Sequence, residues 1–233
     1  VRLLLLAAVA VLLAPALAGC SSSGGGKGTD ATGAHSCDGV TRTSLSMVPS
    51  NHSVVAIATD QGCIVAELYD DKAPVTVRNF LNYTGEGFFD DTLIHRISKQ
   101  FVLQGGGTSA DGTRKTATHP PIVNEARSSG LHNLAYTFSM ARTSSPNSAT
   151  SEFFINVKDN SSCLDAVTGR CDPSGNGYAV FAKVVQGTDV VDKLHALPVT
   201  TSNAHSYCIS LEDSQGGSCP VDPVLVHSAK VVS

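Results

Sequence analysis

Phe88-Phe89-Asp90-Asp91-Thr92-Leu93-Ile94-His95-Arg96-Ile97, followed after three residues by Phe101-Val102-Leu103-Gln104-Gly105-Gly106-Gly107, is the stretch from which the architecture is read. It holds two apolar runs, 93–97 and 101–104, each the length of a strand and too short for a helix. The glycines end the second run as a turn. They are not a dinucleotide loop, because no strand–GxGxxG–helix context surrounds them. Runs of the same kind lie on both sides, at 54–58, 63–69, 134–140, 152–157, 178–185 and 224–232. Thr59-Asp60-Gln61-Gly62 joins the first two as a hairpin. Only two segments read as helix. Ala73-Pro74 opens one, with Val77, Phe80 and Leu81 as its apolar stripe, and 189–197 forms the other, with Val190, Val191 and Leu194 on one face. Eight short strands and two helices predict a mainly all-β fold. The arrangement that suits them is a closed eight-stranded antiparallel β-barrel capped by two α-helices, which leaves no free sheet edge.

The chain has 233 residues, 42% hydrophobic and 15% charged, enough apolar surface for one closed core. Its formal charge of −4, with no long Lys/Arg run, argues against nucleic acid as a partner, since that affinity comes from cation density. The eight histidines are dispersed, and no C-x-x-C or H-x-x-x-H spacing occurs, so the metal expectation is none. No cofactor is expected.

The amino terminus reads as an address. Residues 3–13 are almost purely Leu, Ala and Val after a single Arg2, too short to cross a bilayer and of the length of a secretory h-region. Leu17-Ala18-Gly19-Cys20 then resembles the lipobox of bacterial lipoproteins, which are cleaved before the cysteine and lipidated on its sulfur. The expected organisation is a signal peptide over 1–19, a Gly/Ser-rich flexible tether over 20–52 beginning with lipidated Cys20, and a folded domain over 53–233. The protein is then exported and held on a bacterial membrane by its acyl chains, on the periplasmic or extracellular face. Six cysteines remain, and they allow fifteen pairings. Locality favours Cys163–Cys171 and Cys208–Cys219, and elimination leaves Cys37–Cys63. Such bonds fit an oxidising compartment.

Two further stretches narrow the reading. One is Phe138-Ser139-Met140-Ala141-Arg142-Thr143, leading through Pro146-Asn147-Ser148-Ala149-Thr150-Ser151 to Glu152-Phe153-Phe154-Ile155-Asn156. The other is Gly177-Tyr178-Ala179-Val180-Phe181-Ala182-Lys183-Val184-Val185-Gln186-Gly187. With the opening stretch they resemble the cyclophilins, the family of peptidyl-prolyl cis/trans isomerases, and its bacterial branch in particular. The resemblance covers residues 54–232 and implies the same barrel.

It also implies roles. Arg96 matches the catalytic arginine, and Gln104 the glutamine that orients it and the substrate carbonyl. Phe101, Val102, Phe154 and Leu164 match the proline pocket. Ala141 and Arg142 occupy the stretch whose backbone pairs with the residue preceding proline, and Glu152 and Tyr178 complete the substrate site. Phe153 must point to the opposite face of its strand and is the core candidate, while His95 beside Arg96 is expected to be structural.

The chain departs from the family at four places. Val102 stands where many members carry Met, Glu152 where Gln is usual, Tyr178 where His is frequent, and Cys163 lies near an absent Trp. A carboxylate at 152 is expected near Arg96, where pairing with it would weaken its aim. The resemblance therefore implies an isomerase acting on proline-containing polypeptides; with the amino-terminal address it is expected to assist folding of exported proteins, as a monomer. The alternative is a cyclophilin-fold binding or chaperone-like surface module with weak or no catalysis, its catalysis incidental or lost through Glu152.

Overall fold

A computed structural model describes residues 36–200 and 219–233. Cys20, the expected signal peptide, the first part of the expected tether and Cys208 lie outside the described residues.

The Val54–Thr59 and Gly62–Leu68 runs form the expected hairpin, β1 and β2, in unbroken antiparallel register. Gly62 sits at φ +130°, a conformation that L side chains rarely adopt, and Thr59 Oγ1 donates to its carbonyl at 2.9 Å. α1 follows at Pro74–Gly85, then β3 at Thr92–Leu93, β4 at Arg96–Ser98, β5 at Val102–Gly105, β6 at Thr137–Met140 and β7 at Phe153–Asn156. A short helix α2, Ser161–Leu164, precedes β8 at Val180–Gln186 and α3 at Thr188–Ala196. β9 (Val199–Thr200) and β10 (Cys219–Pro220) pair only with each other, and β11, Leu225–Val231, ends the order.

Nine strands share one antiparallel sheet in the order β3-β11-β1-β2-β8-β6-β7-β5-β4. Its two outermost members, β3 and β4, are the two ends of one stretch with only Ile94 and His95 between them. Thr92 and Leu93 pair with β11, whereas Arg96 to Ser98 pair with β5. The run expected as one strand over 93–97 is split because the chain changes partners there. The sheet curls until its edges meet along this stretch, so the closed eight-stranded barrel is met approximately.

Interior residues come largely from alternate positions of the strands, among them Ile57, Ile64, Ile97, Leu103, Phe138, Phe153, Ile155 and Phe181. α1 closes one end. Its Phe80 ring lies 5.0 Å from Phe89 and Phe181 and 5.6 Å from Phe153. The N–H groups at its start that lack a partner within the helix are satisfied from far away, with Glu125 accepting from Val75 N at 3.2 Å, Thr76 N at 2.8 Å and Thr76 Oγ1 at 2.7 Å. α3 buries Val190, Val191 and Leu194, as its period required.

Residues 36–52, assigned above to a flexible tether, lie instead on the outer face of β1 and β2. Leu45 and Val48 are buried against Val54, Ala56 and Val65. Cys37 is disulfide-bonded to Cys63, and Arg42 donates to the carbonyls of Pro49 and His52 at 3.0 Å each. Their small, polar composition hides two apolar anchors and a covalent one. Cys163 is bonded to Cys171. Cys219 is disulfide-bonded too, the other end of its expected pair lying outside the described residues.

Candidate active site

β4 pairs with β5, and β5 with β7, so that Arg96 faces Gln104 and Gln104 faces Phe154. Cross-strand partners project to the same side of a sheet, so the three side chains form one row. One position along, Ile97, Leu103 and Ile155 form the matching row inside the barrel. Phe153 accordingly enters the core while Phe154 joins a separate outer cluster with Val102 and Leu164.

A hollow of about 340 Å³ opens on that outer face. Phe101, Val102, Phe154, Leu164, Ala141 and Tyr178 line it together with Arg96, Gln104 and Arg142. Every residue expected at the site is thus brought together except Glu152. Cys171 also lines the hollow, which the sequence did not suggest. An apolar cleft of this size with a few convergent polar groups is the usual form of a small-ligand site.

Arg96, only 5% exposed, donates from Nη1 to Gln104 Oε1 at 3.2 Å. Gln104 Nε2 donates in turn to Glu152 Oε2 at 2.9 Å. The other carboxylate oxygen, Oε1, accepts from Arg114 Nη2 at 2.5 Å. The expectation that Glu152 would pair with Arg96 is corrected: its carboxylate is taken by Gln104 and Arg114. The glycine turn makes room for this, because a Cβ on Gly107 would lie 2.6 Å from the Glu152 carboxylate oxygen. Gly106, at φ +88°, carries the chain past it. His95 Nε2 lies 3.8 Å from Glu152 Oε2. Burial pushes the His95 pKa down against the pull of Glu152, with Arg114 and Arg96 adding to the fall, so its ring is neutral at pH 7.

Arg142 is a clamp rather than a free hand. Its Nε and Nη2 donate to the Gly177 carbonyl at 3.0 and 2.9 Å, and Nη2 also pairs with Asp172 Oδ2 at 2.5 Å. Its guanidinium lies 4.4 Å from the centre of the Tyr178 ring, which meets Phe154 edge-on at 5.7 Å. Burial pushes the Asp172 carboxyl up, but hydrogen bonds from Ser174 and Gly177 and the charge of Arg142 outweigh it and hold the pKa at about 2. Asp172 therefore stays ionised and fixes one wall of the hollow. The Cys163–Cys171 bond ties this segment to α2, which carries Leu164.

Sequence reasoning missed the polar scaffold behind the pocket. Asn160 Nδ2 donates to the Phe101 carbonyl at 2.8 Å and to Asn156 Oδ1 at 2.9 Å, and its carbonyl accepts from Leu164 N at 2.9 Å. Asn133, 1% exposed, donates to Asp165 Oδ1 at 2.9 Å and accepts from Ser139 Oγ at 2.8 Å. Buried amides persist only when bonded in this way, and here they hold two pocket residues in place. The one signal was Asn156 ending an otherwise apolar strand, with Asn160 four residues on.

The chain is similar to known proteins. The family model for cyclophilin type peptidyl-prolyl cis-trans isomerase/CLD matches residues 54–215. The chain is 44% identical over 180 residues to peptidyl-prolyl cis-trans isomerase cyp18 of Streptomyces antibioticus, covering 77% of this chain and 99% of that protein. It is 47% identical over 153 residues to peptidyl-prolyl cis-trans isomerase B of Escherichia coli, covering 65% of this chain and 90% of the relative. A crystal structure of a cyclophilin type isomerase from Cryptosporidium parvum, solved in the presence of the dipeptide Ala-Pro, superposes with a TM-score of 0.60 at 22% identity, over 77% of this chain and 99% of the other. At that identity the superposition speaks for the fold alone.

Proposed function

The chain belongs to the cyclophilin-type peptidyl-prolyl cis-trans isomerases, and we propose that Arg96, at the mouth of the outer hollow, is the residue that eases rotation about the X–Pro bond. The protein is a peptidyl-prolyl cis-trans isomerase. Resonance holds the substrate amide planar behind a barrier of about 18–20 kcal/mol, and uncatalysed exchange takes tens of seconds or longer. No bond breaks in the reaction, so nucleophile and general base are not required. What lowers the barrier is a state in which the prolyl nitrogen regains its lone pair. A fixed donor aimed at that lone pair binds the twisted amide better than the planar one. The Arg96 guanidinium is always charged and presents its N–H groups in a rigid fork. Phe101, Val102, Phe154 and Leu164 would grip the proline ring and keep out water that screens the donor.

Gln104 would orient Arg96 and meet the substrate carbonyl. The Ala141 N–H already donates to the Glu152 carbonyl at 2.9 Å, so a peptide lying along Ala141 and Arg142 would use their remaining backbone groups. Main-chain pairing of this kind reads little of the side chain before proline. The observation that carries the assignment is the row Arg96–Gln104–Phe154, which sets a cation beside an apolar hollow on one sheet face. A tetrapeptide Ala-Pro isomerisation assay tests it: the protein accelerates cis-to-trans exchange, and an unchanged rate would refute the reading. The form of the alternative in which Glu152 captures Arg96 loses its support, since that carboxylate is engaged by Gln104 and Arg114; a binding module with incidental catalysis is distinguished by the same assay.

The cellular setting is also part of the proposal. The protein acts on exported chains from the outer side of a bacterial membrane, held there by lipid on Cys20. The lipobox-like Leu17-Ala18-Gly19-Cys20 supports this, as do the Cys37–Cys63 and Cys163–Cys171 bonds, which suit an oxidising compartment. It works as a monomer in this reading.

A further inference from the structure

We infer that Glu152 is a positioning residue, which fixes the direction of the Gln104 side-chain amide and through it the aim of Arg96; this rests on the isomerase reading above. Gln104 stands between a group that can only donate and a group that can only accept. A guanidinium has no acceptor, and an ionised carboxylate has no donor. The amide satisfies both in one orientation alone, with Oε1 toward Arg96 and Nε2 toward Glu152. That is the orientation observed, at 3.2 and 2.9 Å. The lock therefore comes from the charge state of residue 152 and not merely from its shape.

Arg114 is the second half of the device. Its side chain is 70% exposed, yet its Nη2 takes the remaining carboxylate oxygen of Glu152 at 2.5 Å. Two donors, Arg114 Nη2 and Gln104 Nε2, thus share one carboxylate, each with its own oxygen. An amide at 152 would keep the shape but offer a single oxygen to both. When Arg114 takes that oxygen, the new NH2 group faces Gln104. Gln104 then has to turn its oxygen away from Arg96 and point its own NH2 at the guanidinium, donor against donor. The harm done by an amide at 152 is consequently conditional on Arg114, 38 positions earlier.

The test compares kcat and KM for an Ala-Pro peptide in the wild type, Glu152→Gln, Arg114→Ala and the double variant. The Gln104 side-chain NH2 is followed by nitrogen NMR, and melting temperatures check the fold. Glu152→Gln is expected to lower kcat roughly three- to tenfold with KM held within about twofold. It should also shift the Gln104 NH2 signals. Adding Arg114→Ala should restore most of the loss and return those signals toward their wild-type positions. An unchanged kcat in Glu152→Gln, or a double variant no better than the single, overturns the inference. A wild type that does not accelerate the reaction would instead refute the isomerase reading. In that event the Gln104 signals alone decide the lock, which fails if Glu152→Gln leaves them in place.

Discussion

Protonating Asp172 removes the partner of a guanidinium whose side chain is 4% exposed. Its folded pKa of about 2 lies below the ordinary aspartate value of 3.8, so its contribution to stability is complete above about pH 4. It is lost as pH falls from there toward 2. The melting temperature should therefore drop over that window. Asp172→Ala leaves Arg142 buried and unpaired by a carboxylate, which destabilises by about 3–5 kcal/mol, roughly 10 °C in a chain of this size. Thermal melts between pH 2 and 7 check this: the variant should melt lower at neutral pH and show a shallower acid dependence. An identical acid slope would remove Asp172 from the account. At this scale the resemblance to the cyclophilins pointed to Arg96, Gln104 and Phe154, and strand alternation added only that Phe153 and Phe154 face opposite sides. Neither revealed Asp172 or Arg114 as partners. Their contacts, Arg142–Asp172 and Arg114–Glu152, join residues 30 and 38 positions apart, and no period records such a meeting.

Elements were legible where burial imposes a repeat and illegible where a distant group completes them. The stripe Val190, Val191, Leu194 announced α3, and a short apolar run announced β7. Nothing local announces that Glu125 satisfies the start of α1, or that 93–97 changes partners midway. Residues 36–52 show the opposite error. Serine, glycine and threonine there suggest a free tether, while Leu45, Val48 and Cys37 fasten the segment to β1 and β2. Replacing Cys37 and Cys63 together by Ser should reduce stability by about 2–4 kcal/mol and expose 36–52 to proteolysis. Isomerase activity should stay at the wild-type level, because this segment packs on strands that contribute nothing to the hollow. Loss of activity in that variant would show that the segment supports the site.

At the scale of the molecule, the curled sheet supplies two faces with different duties. Its inner face holds the core that makes the barrel persist, and its outer face on β4, β5 and β7 carries a row that a flexible loop could not hold in register. The proposed lipid anchor belongs to the same scale but to a separate segment. Cys20→Ser should move the protein from the membrane fraction to the soluble fraction of a bacterial host, and equal partitioning of both forms would contradict the lipid assignment. The central claim is that a positive fork beside the hollow stabilises the twisted prolyl amide more than the flat one. Measuring exchange of a bound Ala-Pro peptide by NMR with wild type and Arg96→Ala tests it most directly. The account predicts a fall in kcat/KM of about 10²-fold or more, with peptide affinity changed far less. An Arg96→Ala protein that binds the peptide and turns it over at the wild-type rate would contradict it.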